Sequence, residues 1–157
     1  MADLLLEHPS AEARLRRMAF QLMEYYFGQP LPALVGLKEK GPRLVEYLNN
    51  VLYETVGKSA AVGYWSQQEG ISFQEAFQPE ALVLVDDVLY TGSTMYYALR
   101  DAMELNPKVV QVAVLVDRGH RKLPIRPDYV GLELATTLQE YVRIRIDEAG
   151  QISGTLE

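Results

Sequence analysis

Cysteine is absent from all 157 residues. That absence excludes disulfide bridges, thiolate metal centres and a cysteine nucleophile, and it suits a reducing cytoplasm, where the protein is expected to work. Histidine is nearly absent: only His8 and His120 occur, far apart and without a second histidine or cysteine at ligand spacing. No nucleophile–base–orienter set is recognisable. Basic residues are in deficit, 15 Lys and Arg against 21 Asp and Glu, for a net charge of -6. Such a chain repels nucleic acid and anionic membranes as a whole, so any polyanion must be met by a local basic patch. No apolar run approaches the ~20 residues of a membrane-spanning helix. The start, Met1–Glu7, has no basic stretch and too short an apolar run for an export signal.

What is present is an ordinary globular composition, 48% hydrophobic and 23% charged, enough to bury one core. A single domain over residues 1–157 is expected. Helical and strand patterns alternate, which points to an α/β fold. Ser10, after Pro9, predicts an N-cap for a helix to about Phe27, with Ala11, Leu15, Met18, Ala19, Leu22, Met23 and Tyr26 as its buried stripe. Ala33–Leu37 reads as a buried strand. The loop Lys38-Glu39-Lys40-Gly41 follows, with Pro42 at the first position of a second helix. Ala60–Trp65 reads as another strand and Ser66–Pro79 as loop. Ala81–Val85 is continuously apolar, as a strand covered on both faces would be. Ser93–Leu105 is helical, with Met95, Ala98, Leu99, Ala102 and Met103 inward. Val109–Val116, Tyr129–Leu134 and Tyr141–Ile146 are the remaining strands, the last with Arg143 and Arg145 on a wet face. Together these predict a mostly parallel central sheet flanked by helices.

One segment carries chemistry: Val83-Leu84-Val85-Asp86-Asp87-Val88-Leu89-Tyr90-Thr91-Gly92-Ser93-Thr94. A buried strand leads into two adjacent carboxylates, and a hydroxyl–glycine–hydroxyl turn then opens a helix. Ligands of α/β sheets bind at the carboxyl ends of strands, and a helix N-terminus offers unpaired N–H groups to a phosphate. Gly92 lets the backbone approach that phosphate, and Thr91, Ser93 and Thr94 add hydroxyl donors. Asp86 and Asp87 would repel it, so they suit two neighbouring hydroxyls, such as those of a ribose. The plain alternative is a strand–loop–helix junction with Ser93 as N-cap.

This segment resembles the phosphoribosyl-diphosphate (PRPP) motif of the type I phosphoribosyltransferases. The stretch Leu115-Val116-Asp117-Arg118-Gly119-His120-Arg121-Lys122-Leu123-Pro124-Ile125-Arg126 and onward to Gly131 is similar to that of the pyrimidine-operon attenuator subfamily, whose members are also uracil phosphoribosyltransferases. Val35–Gly41 stands where that family has its diphosphate loop. The resemblance implies a type I phosphoribosyltransferase fold with a small hood, in which Asp86 and Asp87 hold the ribose and Thr91–Thr94 hold the 5-phosphate. It also implies that Lys38, Glu39, Lys40 and Gly41 receive the diphosphate, with Mg²⁺ carried by PRPP and no metal site of the protein's own. Asp117 and Arg118, just past a strand end, would line the base pocket, unless that stretch is plain surface loop. The implied activity is ribose 5-phosphate transfer from PRPP to a uracil-like base, in a homodimer.

The chain departs from the family in two places. The long basic loop expected before the PRPP motif is reduced to Gly63–Pro79, which holds no Lys or Arg, so the leaving diphosphate loses donors and shielding. RNA, a partner of the attenuator subfamily, would have to meet Arg14, Arg16 and Arg17 of the first helix and the cluster Arg118, Arg121, Lys122 and Arg126. Phe20 stands where the subfamily usually has histidine, and RNA is not the favoured partner. A weakly catalytic nucleotide-sensing or RNA-binding regulator is the alternative to the enzyme, and a purely structural subunit is a third reading.

Overall fold

The computed structural model describes residues 2–137 and 139–157, with Met1 and Leu138 outside the described residues. In chain order the elements are β1 (Asp3–Leu6), α1 (His8–Tyr25), β2 (Ala33–Leu37), α2 (Lys40–Val56), β3 (Val62–Ser66), β4 (Gly70–Phe73), β5 (Ala81–Leu89), α3 (Ser93–Met103), β6 (Val109–Asp117), β7 (Tyr129–Glu133), β8 (Val142–Ile146) and β9 (Ile152–Leu156). Six strands form the central sheet in the order β4-β3-β2-β5-β6-β7. All neighbours are parallel except the β3–β4 hairpin.

Strand alternation divides the apolar residues between two cores. Leu34, Val83, Val85 and Leu115 face α1 and α2. Val35, Leu82, Leu84 and Val114 face the other way, against Met95, Ala98 and Ala102 of α3. Each fully buried Val, Leu or Met among them contributes about 1.5–3 kcal/mol. β2 and β5 lie side by side, yet the connection from β2 leaves over one face through α2 and that from β5 over the other through α3. The chain therefore opens a crevice between their carboxyl ends, the usual ligand position in such sheets.

The second sheet is the hood: β1-β9-β8, antiparallel throughout. Val142, Ile144 and Ile152 are buried with Leu6 in the α1/α2 core. Polar ties complete the docking. The Ile152 N–H donates to His8 Nδ1 at 3.0 Å, Tyr47 Oη to the Gly150 carbonyl at 2.6 Å, and Arg43 Nη2 to the Asp147 carbonyl at 3.0 Å.

Several expectations need correction. α1 begins at His8 with Glu7 as N-cap, not at Ser10, because Pro9 sits in the first turn, where its missing N–H is not needed. α2 begins at Lys40, so Lys40 and Gly41 are its first turn and not loop. The polar stretch after Trp65 contains β4, an edge strand with mixed exposure and no alternation to betray it. Tyr141–Ile146 supplies β8 of the hood and not a strand of the parallel sheet, while β1 and β9 carry no pattern long enough to read. Met103 is exposed at the end of α3. Trp65 and Tyr26 pack in the core, whereas Tyr25, Tyr96 and Tyr97 lie on the surface.

Candidate active site

Two glycines bring the site together. A Cβ on Gly36 would lie 2.4 Å from Pro42 N, and one on Gly41 would lie 2.6 Å from the Val85 carbonyl oxygen. Only hydrogen at these positions lets the first turn of α2 press its backbone onto the ends of β2 and β5. Lys38, between the two, turns the chain with φ 61°, a left-handed conformation uncommon for a side-chain-bearing residue and concentrated at functional sites. Its N–H still donates to the Trp65 carbonyl at 3.1 Å.

β5 does not end at the acids. It pairs with β6 as far as Leu89 opposite Asp117, whereas its pairing with β2 stops at Val85 opposite Gly36. Asp86 and Asp87 thus stand where one neighbour has turned away, on a strand still held by the other. Asp86 is buried and its Oδ1 accepts the Asp87 N–H at 2.8 Å. Burial, then the adjacent Asp87 charge, pushes the Asp86 carboxyl well above the usual carboxylate range. Asp87 is half-buried, and its Oδ2 lies 3.8 Å from Lys40 Nζ.

A cavity of about 670 Å³ extends over this floor, within the range of small-ligand sites. Lys38, Glu39, Lys40, Asp86 and Asp87 line it from below, Ser66–Gln68 of the β3–β4 hairpin from the side, and Tyr141–Ile144 of the hood from above. A smaller cavity of about 80 Å³ adjoins it, sharing Lys38, Asp86, Asp87 and Tyr90 and walled by Thr91–Thr94. The turn is pre-shaped for an anion. Gly92 caps α3 with φ 93°, Thr91 Oγ1 accepts the Ser93 N–H at 3.2 Å, and Thr91 Oγ1 and Ser93 Oγ are 3.0 Å apart. Among the described residues nothing accepts from the N–H of Gly92 or Thr94. The Thr91 carbonyl meanwhile takes the Lys122 and Leu123 N–H groups at 2.8 and 3.2 Å, clamping the turn from outside.

The hood contributes residues that the sequence did not single out. Tyr90, between the acids and the turn, stacks on Tyr141 with ring centroids 5.2 Å apart and planes 18° from parallel, and its hydroxyl donates to the Val142 carbonyl. Burial pushes its phenol well above the ordinary value, helped by Tyr141. Arg118 lies 5.3 Å over the Tyr90 ring and Arg143 lies 5.5 Å over the Tyr141 ring. No spacing rule could have paired the residue after β5 with the one before β8 in this way.

The expected residues fall into two groups. Lys38, Glu39, Lys40, Asp86, Asp87 and Thr91–Thr94 meet around the two adjoining cavities, while Gly41 acts through its packing on Val85. Asp117 and Arg118 stand apart. Asp117 pairs with Arg121 Nη1 at 3.0 Å and lines a separate cavity of about 350 Å³. Arg118 binds Thr136 Oγ1 and the Thr137 carbonyl, both at 3.2 Å, and reaches the site only through Tyr90. No cluster of three or more metal-ligating side chains occurs among the described residues.

A crevice at a sheet switch point, an acid pair and an amide-rich turn thus lie together under the hood. The family model described as "Phosphoribosyl transferase domain" matches residues 1–142, and the chain belongs to that family. Its relatives narrow the class. The "Bifunctional protein PyrR" of Pelotomaculum thermopropionicum is 35% identical over 92% of this chain and 88% of its own length. That of Thermus thermophilus shows the same figures, and that of Clostridium acetobutylicum is 32% identical over 90% of this chain and 89% of its own. Among solved structures, the hypoxanthine phosphoribosyltransferase of Trypanosoma cruzi superposes with a TM-score of 0.73, covering 97% of this chain and 95% of that one at 16% identity. That of Staphylococcus aureus gives 0.68, covering 89% and 80% at 18% identity. At such identities the likeness shows the fold alone.

Proposed function

We propose that the protein transfers ribose 5-phosphate from PRPP to a uracil-like base, releasing diphosphate. The observation that carries this reading is the adjacency of the two cavities. One is sized and lined for a phosphate by Thr91–Thr94, the other holds Lys38 and Lys40, and Asp86 and Asp87 stand on the wall between them. A ribose spanning that wall presents its 2′- and 3′-hydroxyls to the two carboxylates. Its 5-phosphate then lies in the turn and its diphosphate against the first turn of α2. A bond forms between a ring nitrogen of the base and C1 as the bond from C1 to the diphosphate oxygen breaks. The proton on that nitrogen passes to solvent or to the leaving group.

Lys38, Lys40 and the helix N-terminus offset the charge that the leaving oxygen gains, and such electrostatic preorganisation is commonly the largest catalytic contribution. Mg²⁺ carried with PRPP would add charge neutralisation, and Glu39, Asp86 and Asp87 are the carboxylates lining the cavity that would hold it. The PyrR relatives support a pyrimidine base. We expect the protein to act in the cytoplasm as a single phosphoribosyltransferase domain, associated as a homodimer.

The test is turnover of uracil, other bases and PRPP with Mg²⁺, compared with Asp87→Asn. If no base is turned over faster by the wild type than by that variant, the enzyme reading is wrong.

The regulator reading draws on the short β3–β4 hairpin, whose cleft-lining residues Ser66–Gln68 carry no charge. An RNA site on the first helix gains little support. Arg14 Nη1 donates to the Gly131 carbonyl at 2.8 Å, and Arg17 Nη2 to the Val130 and Gly131 carbonyls at 2.7 and 2.9 Å, so both pin α1 to β7. RNA would be met by the loop bearing Arg121, Lys122 and Arg126, with binding that weakens steeply as salt rises.

A further inference from the structure

Three cationic side chains line the main cavity: Lys38 and Lys40 from the floor and Arg143 from the hood. Lys40 already faces Asp87 at 3.8 Å. The hairpin that borders the open side offers Ser66, Gln67 and Gln68, none of them charged. Preorganised cations on two sides of a diphosphate leaving group stabilise its developing charge more than cations on one side alone.

Arg143 is built to face the cleft. Val142 and Ile144 on either side of it are buried against α1 and α2, so strand alternation turns Arg143 to the opposite face of the hood, the face on which Tyr141 meets Tyr90. Its guanidinium is held in place. Nε donates to Glu157 Oε2 at 2.6 Å, and the Tyr141 ring lies beneath it at 5.5 Å. Glu157 is in turn fixed beside the start of β8 by two backbone hydrogen bonds with Tyr141, at 2.7 and 2.8 Å. Among the described residues nothing accepts from the two Nη groups. They remain available for a bidentate contact to phosphate oxygens, for which a planar guanidinium is suited.

We propose that Arg143 reaches down from the hood to hold the diphosphate of PRPP, closing from above a cleft whose hairpin has no cation to offer. The inference rests on the phosphoribosyl-transfer reading of the cleft. It assigns Arg143 to the leaving group and not to the base.

Arg143→Gln and Arg143→Lys test it, with steady-state kinetics varied separately in PRPP and uracil and with UMP titrated by calorimetry. UMP keeps the ribose, the 5-phosphate and the base but lacks the diphosphate. The glutamine variant should raise KM for PRPP and weaken inhibition by inorganic diphosphate by roughly ten-fold or more, the scale of a lost charge-assisted contact. Its uracil KM and UMP affinity should stay unchanged, and lysine should restore part of the loss. A rise in uracil KM or an equal loss of UMP affinity would move Arg143 to the base. A wild-type response in both variants would remove its role altogether. A thermal melt of each variant separates either result from unfolding, and a variant that melts like the wild type yet keeps its PRPP KM counts against the proposal. Should the wild type bind neither PRPP nor UMP, the reading of the cleft falls, and this inference with it.

Discussion

Lys40 Nζ lies 3.8 Å from Asp87 Oδ2, so the first turn of α2 and the acid pair of β5 touch across the floor of the cleft. The cation proposed for the diphosphate and the acid proposed for the ribose thereby offset each other before any ligand arrives. The pair is part-exposed on both sides, and such pairs contribute about 1 kcal/mol or less to stability. Lys40→Ala should therefore leave the melting temperature nearly unchanged while lowering kcat/KM for PRPP. A large drop in melting temperature would contradict the weak-pair reading.

Asp86 provides a pH test. Its folded carboxyl is held above its unfolded value, first by burial and then by Asp87, so folding favours the protonated form. The associated stability is complete below the unfolded value of about 3.9 and is lost as pH rises through the folded value. Asp86→Asn keeps an oxygen for the Asp87 N–H and removes this loss. It should be no more stable than wild type at pH 3 and more stable at pH 7, yet inactive. Urea unfolding at both pH values reads the difference, and equal stability of the two proteins at pH 7 would refute it.

Gly41→Ala tests the backbone approach that assembles the site. The added methyl would lie 2.6 Å from the Val85 carbonyl oxygen, a contact that only main-chain movement relieves. We expect a loss of about 1–3 kcal/mol, typical of overpacking, together with weakened PRPP binding. Chemical denaturation and a PRPP titration check the two effects. Unchanged stability would show that α2 can shift without cost.

Far from the cleft, Gln111 Oε1 accepts from Tyr26 Oη at 2.8 Å and Tyr129 Oη at 2.9 Å, with all three residues buried. Burial is also the main cause that pushes the Tyr129 phenol up to about 12. Gln111→Leu strands both hydroxyls, each at about 1–3 kcal/mol. Stability should fall by several kcal/mol with the PRPP KM unaltered, and a neutral substitution would show that the hydroxyls find other partners.

Much of this architecture was legible in the chain. The buried runs Leu34–Leu37, Leu82–Val85 and Val112–Val116 are apolar without alternation because helices cover both faces of their sheet, and such runs are readable one residue at a time. The acid pair and the Thr-Gly-Ser-Thr turn were legible for the same reason, since a strand end and the following helix start are neighbours in sequence. The hood was less so. β1, β8 and β9 come from both ends of the chain and join by pairings such as Asp3 with Leu156, which no local pattern encodes. β4 escaped notice because an edge strand with one partner needs no periodicity.

Composition and local order alone determined the fold class, the parallel strands and the Thr91–Thr94 turn, because each depends on residues within a few turns of one another. Only the tertiary structure decided that Lys40 meets Asp87, that Tyr141 covers Tyr90, that Arg143 overhangs the cleft, and that Asp117 turns instead to Arg121. Those contacts depend on where distant strands end relative to one another. Chain crossover and backbone packing at Gly36 and Gly41 set that geometry, and a linear pattern of apolar and charged residues does not contain it.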